Sequence, residues 1–447
     1  MRRAVGLLLA VTVALVLADS AIVTLALPDI LIHLDATVGQ VAWVLIAFNL
    51  VLGLGAVPTA AILPKVRPPL FTALGIAVFA GSSAWCALAD SIEVLIVARC
   101  VQAVGGALAL VGCLELLVEE YGERRGVATW ITAGVIGTAI GPVAGGILTQ
   151  AISWQSIFVV QVPFAILAVP AALSVRAEHV TPPDRHRPAV RANITLALLS
   201  AALTAALFLV VLLLVQGWGR SPAVAALTVS VVPIAALAAR PLARVWQPPH
   251  VVEVAVGCFL ITGGLVALAI PPSADLAWTV APQVLVGLGL GLTLDQLTFH
   301  AIELRLPRAS HAAWTISARH LGVVLGLAIL TPVFTADLMD AQEPAQEAIT
   351  SLVLDAPLPP EDKIAVAEAL GRVLSDQQRQ VPDLHSAFAS LDLDPAEQPA
   401  ADQLERDLNE QVERAATWAF RDSFLIGAAL ALLALLTVTA PDWRRTR

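Results

Sequence analysis

The chain has 447 residues, of which 58% are hydrophobic and 14% charged, and its mean hydropathy is +0.81. A water-soluble protein of this length does not carry that balance, so the composition points to a polytopic membrane protein and excludes a soluble enzyme or a nucleic-acid binder. The net charge of −9 is local: residues 336–417 hold 18 Asp and Glu against 5 Lys and Arg, a balance of −13, which leaves the rest of the chain at +4.

In chain order, Met1-Arg2-Arg3 and the apolar run from Ala4 to Ala18 imitate a signal peptide, but the run continues past Asp19 to Leu27 and reads as a retained first helix. Further apolar runs at about 40–63, 69–89, 91–118, 127–149 and 154–175 complete a first set of six. Residues 177–192 are rich in Arg, His and Pro and form a linker that cannot span. Runs at about 193–216, 222–240, 251–270, 277–300, 312–335 and 418–440 supply six more. The expected architecture is all-α, with 12 membrane helices in two bundles: 1–176, and 193–447 containing the acidic segment 336–417. Seventeen basic residues fall in the loops and tails assigned to one side, while the short loops of the other hold only Arg220. That bias places both termini in the cytoplasm and the protein in the cell membrane. The halves repeat at an offset of 184, with Gly105, Glu119, Arg124 and Trp130 meeting Gly289, Glu303, Arg308 and Trp314.

The fifth run carries Gly134, Gly137, Gly141 and Gly145 on one helical face, with Pro142 and Gly146 beside it. Such a face lets a neighbouring helix approach closely, and the proline bends its own helix. Together with Trp154-Gln155-Ser156-Ile157-Phe158 and Val162-Pro163-Phe164, this GxxxGPxxGG stretch resembles the fifth-helix antiporter motif of the major facilitator superfamily. Two further stretches support the resemblance. Leu17-Ala18-Asp19 with Ala26-Leu27-Pro28 is similar to the first-helix signature, and Arg99-Cys100-Val101-Gln102-Ala103-Val104-Gly105-Gly106-Ala107 is similar to RxxQGxGxA, with Ala103 where Gly is usual. The branch is that of drug–proton antiporters, which usually have 14 helices; the linker here leaves no room for the extra two. Between helices 2 and 3, Lys65 and Arg67 keep the family's charge, but its loop Asp and glycines are missing.

The resemblance implies proton-coupled export of a hydrophobic or amphiphilic small molecule. Helix 7 agrees, since only Ser200 and Thr204 interrupt its apolar core. Export of a lipid or cell-envelope precursor is the nearest rival, and a non-transporting receptor or scaffold is another. A proton site is expected on Asp19 with Arg99, because both lie about 12–13 Å below the outer surface when counted along their helices. Arg319, about 10 Å above the inner face, is the competing partner. An Arg that only locks two helices, and an Asp that only caps a helix break, are the bland alternatives. Asp295 replaces a usual proline and is either an ion or substrate group or a vestibule carboxylate. With Arg319, Gln102 and Glu115 it makes up the candidate cavity or secondary polar residues. His300 and His320 read as hydrogen-bonded packing residues.

Segment 336–417 has Ile364, Ala367, Leu370 and Leu374 at helical spacing, and 404–414 is helix-prone. Helical extensions of helices 11 and 12 compete with a solvated acidic linker, and an envelope partner could dock there. Cys86, Cys100, Cys113 and Cys258 lie in apolar runs without metal-ligand spacing. No metal, cofactor or enzymatic centre is expected. The partners expected are the small molecule, protons and the bilayer.

Overall fold

A computed structural model describes residues 2–177, 187–271, 273–302, 305–376, 384–389 and 397–439. The helices are α1 Arg2–His33, α2 Val38–Ile62, α3 Pro68–Ala87, α4 Ile92–Tyr121 and α5 Glu123–Ala151. Next come α6 Ser156–Ser174, α7 Val190–Val215 and α8 Ala223–Trp246. They are followed by α9 His250–Leu268, α10 Leu276–Ile302, α11 Arg308–Asp355, α12 Pro360–Asp376, α13 Leu384–Ala389, α14 Gln398–Ala419 and α15 Arg421–Thr439. Among the described residues, 12 helical stretches are long and apolar enough to cross a membrane, which is the expected architecture. α7 begins three residues earlier than expected; most of the linker, 178–186, lies outside the described residues.

Local chemistry sets several helix ends. Thr37 and Gln40 close a reciprocal capping box at the start of α2, and the Ser91 hydroxyl accepts from the Val94 N–H at the start of α4. Gly122 separates α4 from α5 at a φ of +79°, a backbone shape that a side chain would strain. Large apolar side chains point outward, among them Val245, Leu88 and Phe259 at 85%, 81% and 67% exposure. A protein in water buries such groups, whereas a lipid-facing surface presents them.

The two halves share the same close contacts. In the first, Gly137 of α5 sits on the Ala14 backbone of α1. In the second, Gly322 of α11 sits on the Ala197 backbone of α7, shifted by 185 and 183 residues. Gly105 of α4 meets the Phe79 backbone of α3, as Gly289 of α10 meets the Gly257 backbone of α9. The sequence repeat is therefore also a repeat of helix packing. The halves meet where α2 lies along α11 and where α5 meets α8 and α10.

An even number of spans puts both termini at one end of the bundle. At the other end, α11 runs on as one helix of 48 residues, about 72 Å long. It packs against α14, which leads into α15. Ile349 and Val353 of α11, Val366 and Leu370 of α12, Ala387 of α13, and Leu404, Leu408 and Val412 of α14 form a second hydrophobic core. The acidic segment is thus a helical cap over its described length. Its buried face differs from the expected one. Ile364 is 61% exposed and Ala367 is also exposed, while Val366 and Ala369 turn inward beside Leu370; the side chain of Leu374 lies outside the described residues. Because the cap has its own core, deletion of residues 343–414 should leave the bundle inserted and monodisperse. Limited proteolysis of the intact protein should cut the cap slowly, into a few fragments. Rapid cutting throughout the segment would contradict an ordered cap.

Candidate functional site

A dense buried polar cluster joins five helices of the first half. Asp19 of α1 forms an ion pair with Arg99 of α4 through Oδ2 and Nη1, and both are fully buried. Gln161 of α6 donates to Asp19 Oδ1 at 3.0 Å, and Gln102 donates to the same oxygen at 3.3 Å. The Gln102 amide also donates to Ser83 of α3 at 2.8 Å and accepts from Arg99 Nη1 at 2.6 Å. Arg99 Nε reaches the Val44 carbonyl of α2 at 3.4 Å. The guanidinium lies 4.1 Å from the ring centre of Phe48 and 5.7 Å from that of Phe158, contacts that stabilise a cation removed from water. A buried ion pair persists only when its remaining lone pairs and protons also find partners. Most do here, although Arg99 Nη2 has no hydrogen-bond partner. The structure therefore brings Asp19, Arg99 and Gln102 together and leaves Arg319 outside the cluster.

Two adjoining cavities lie between the halves. One of about 110 Å³ is central, lined by α1, α2, α5, α7, α10 and α11, with Ser20, Asn49, Ser200, Thr204, Arg319 and His320 among its polar residues. The other, of about 330 Å³, lies among α5, α8 and α10 and includes Thr132, Pro142, Arg240, Arg244, Asp295 and Arg319. Thr138, Leu207, Leu294 and Arg319 belong to both. Asp295 is ion-paired with Arg240, while its Oδ1 is buried without a partner. Across the halves, the His320 ring N–H donates to Asn49 Oδ1 at 2.7 Å and Ser317 donates to the Gly53 carbonyl at 2.6 Å. Ser20 also donates to Asn49 Oδ1, at 3.3 Å. Neighbouring residues of α1 thus serve two surroundings: Asp19 reaches the ion-pair cluster, while Ser20 reaches the cavity and, through Asn49, the second half.

The family model described as the Major Facilitator Superfamily matches residues 9–330, most of the chain. The chain belongs to the Major Facilitator Superfamily. Members of this superfamily are transporters, not enzymes. The chain is 32% identical over 172 residues to the tetracenomycin C resistance and export protein of Streptomyces glaucescens, covering 38% of this chain and 32% of that protein. It is 30% identical over 226 residues to the methylenomycin A resistance protein of Streptomyces coelicolor, covering 50% and 46%. The chain thus spans about a third to a half of the length of these curated relatives. In fold it resembles a bacterial homologue of the human lysosomal transporter Spinster, solved inward-facing and unoccupied, with a TM-score of 0.61 at 15% identity over 98% and 97% of the two chains.

Two of the candidate polar residues lie away from both cavities. Gln102 lines neither cavity, because it faces the ion pair inside the first half. Glu115 lines neither as well: it sits toward the terminal end of α4, where it faces Arg308 and the Ala309 backbone of α11. Those groups open α11, so the carboxylate lies at a helix N-terminus of the other half, a favourable place for negative charge. Arg308 also pairs with Glu123. The three form a latch between the halves at the terminal end. Arg308→Gln should weaken it by about 1 kcal/mol, the upper end for a partly exposed pair, a several-fold population shift. Spin labels at Arg125 and His250 should then report longer separations; an unchanged distribution would remove the latch from the account.

The glycine face closes on α1 within its own half. A Cβ on Gly137 would overlap the Ala14 carbonyl oxygen and one on Gly145 the Ile22 carbonyl oxygen, while Gly141 would come within 3.0 Å of Ala18. Gly134 faces the Leu17 side chain, Gly146 is buried, and Pro142 borders the larger cavity. Sequence reasoning missed Gln161, Ser83, Asn49 and Phe48. An amide in the apolar core of α2 or at the head of α6 was the available signal. All four cysteines are free thiols.

Proposed function

We propose that the protein is a secondary transporter that exports a hydrophobic or amphiphilic small molecule from the cytoplasm in exchange for protons. The observation that carries this reading is the buried pair between Asp19 of α1 and Arg99 of α4, with Asp19 one residue from Ser20 in the wall of the central cavity. Proton uptake by Asp19 would loosen α1 from α4, and cargo pressing on the other face of α1 would bias the same helix. Two ligands acting on one two-state element are coupled reciprocally. The mostly apolar cavity walls suit an amphiphile, and the basic residues in the loops at the terminal end support a cytoplasmic orientation of that end. The similarity to a tetracenomycin C resistance and export protein and to a methylenomycin A resistance protein supports export of a small molecule.

The cap, with its own core, favours a second reading: export of a lipid or envelope precursor handed onward at the outer face. Inside-out membrane vesicles decide the first question. Under a proton gradient, acid inside, they should accumulate an amphiphilic dye, and a protonophore should abolish the accumulation. Accumulation that ignores the protonophore would refute proton coupling.

A further inference from the structure

We propose that the cargo carries an anionic headgroup, a carboxylate or a phosphate, which Arg319 binds at the junction of the two cavities. This rests on the reading that these cavities hold the cargo. Three arginines line the larger cavity, Arg240, Arg244 and Arg319, against one carboxylate, Asp295. Asp295 already has Arg240 as its counter-ion. Arg244 is exposed near the terminal end of α8. Arg319 differs from both. It lies mid-bundle, is partly buried, borders both cavities, and among the described residues has no hydrogen bond or ion pair.

A cation without a counter-ion inside a membrane protein is costly and is retained facing a pathway or cavity. The rest of the wall cannot neutralise it. Thr132, Thr138, Ser200 and Thr204 contribute hydroxyls, and the remaining residues around it are largely apolar. The neighbouring His320 spends one ring N–H on Asn49 and brings no negative charge. A cationic cargo would meet Asp295 only beside Arg240, which already offsets its charge, and would leave Arg319 uncompensated. An anionic headgroup neutralises Arg319 by charge-assisted hydrogen bonds, which a guanidinium can make in pairs to a carboxylate or phosphate. The apolar walls from Val135, Ile136, Val232 and Leu237 then take an aliphatic or aromatic tail.

Equilibrium binding to the purified full-length protein, with no gradient, tests this independently of proton coupling. Three fluorescent probes share one body: dansylaminoundecanoic acid, its primary amide and its trimethylammonium analogue. A fourth, the corresponding alkyl phosphate, distinguishes the two anion chemistries. An anion should bind at least about tenfold tighter than the amide, and the ammonium probe most weakly. Arg319→Gln should abolish the difference between anion and amide, whereas Arg319→Lys should retain most of it. The wild-type comparison needs no variant to fold. Equal binding of anion and amide, preference for the ammonium probe, or no saturable binding of any probe would overturn the proposal. Equal binding would leave export of neutral amphiphiles standing; failure of the vesicle assay would refute proton coupling whatever the probes show.

Discussion

Asp19→Asn should abolish proton-driven export while the protein still binds cargo, with an affinity that no longer varies with pH. Asparagine keeps the shape and an acceptor oxygen for Gln161, so the cluster can retain part of its geometry. It cannot take up or release a proton. The substitution also leaves the fully buried Arg99 without its counter-charge. Breaking a buried pair on one side costs about 3–5 kcal/mol, so some loss of stability should accompany the loss of coupling. The double variant Asp19→Asn with Arg99→Gln separates the two effects. It should recover thermal stability, because no lone charge remains, but not proton-driven export. Wild-type export by Asp19→Asn would place the coupling group elsewhere, and Asp295 is the next residue to examine.

Gly137→Leu should be more damaging than any other single change on the glycine face. Its first side-chain atom would collide with the backbone oxygen of Ala14, and backbone cannot rotate out of the way as a side chain does. α1 would have to move off α5, displacing Asp19 from Arg99 on its way. Overpacking typically costs about 1–3 kcal/mol, and more where neighbours cannot yield. The expected outcome is loss of export with little monodisperse protein. Gly141→Ala meets Ala18 and Ala21 at 3.0 Å and should keep much of the activity. Gly134, which faces only the flexible Leu17 side chain, should tolerate Ala best. Export measured beside size-exclusion profiles would test this order; equal tolerance at Gly137 and Gly134 would contradict the packing.

Much of the fold could be read from apolar run lengths and loop charge, because the bilayer forces backbone groups to pair within each helix. The Asp19–Arg99 contact was legible as a match in depth, which follows from counting residues along two helices. What counting could not give was rotation. Gln102 and Ser200 are both polar groups inside apolar helices, but one faces the interior of its own half and the other a cavity. Likewise, the glycines announced a close helix contact without naming α1 as the partner. In α12, apolar residues lie on more than one face, and packing within the cap selected Val366 over Ile364. Glu115 and Asp295 depended on contacts between helices far apart in sequence, with Arg308 and Arg240, and no local pattern specifies those.

The most direct test of the coupling claim is proton movement caused by cargo movement alone. Proteoliposomes would be loaded with pyranine and an amphiphilic dye that binds the purified protein, then diluted into dye-free buffer at equal pH. As dye leaves down its gradient through the wild-type protein, the lumen should acidify, and Asp19→Asn vesicles should show no acidification. Dye efflux through the wild-type protein without acidification, or equal acidification by Asp19→Asn, would contradict coupling at the Asp19–Arg99 pair.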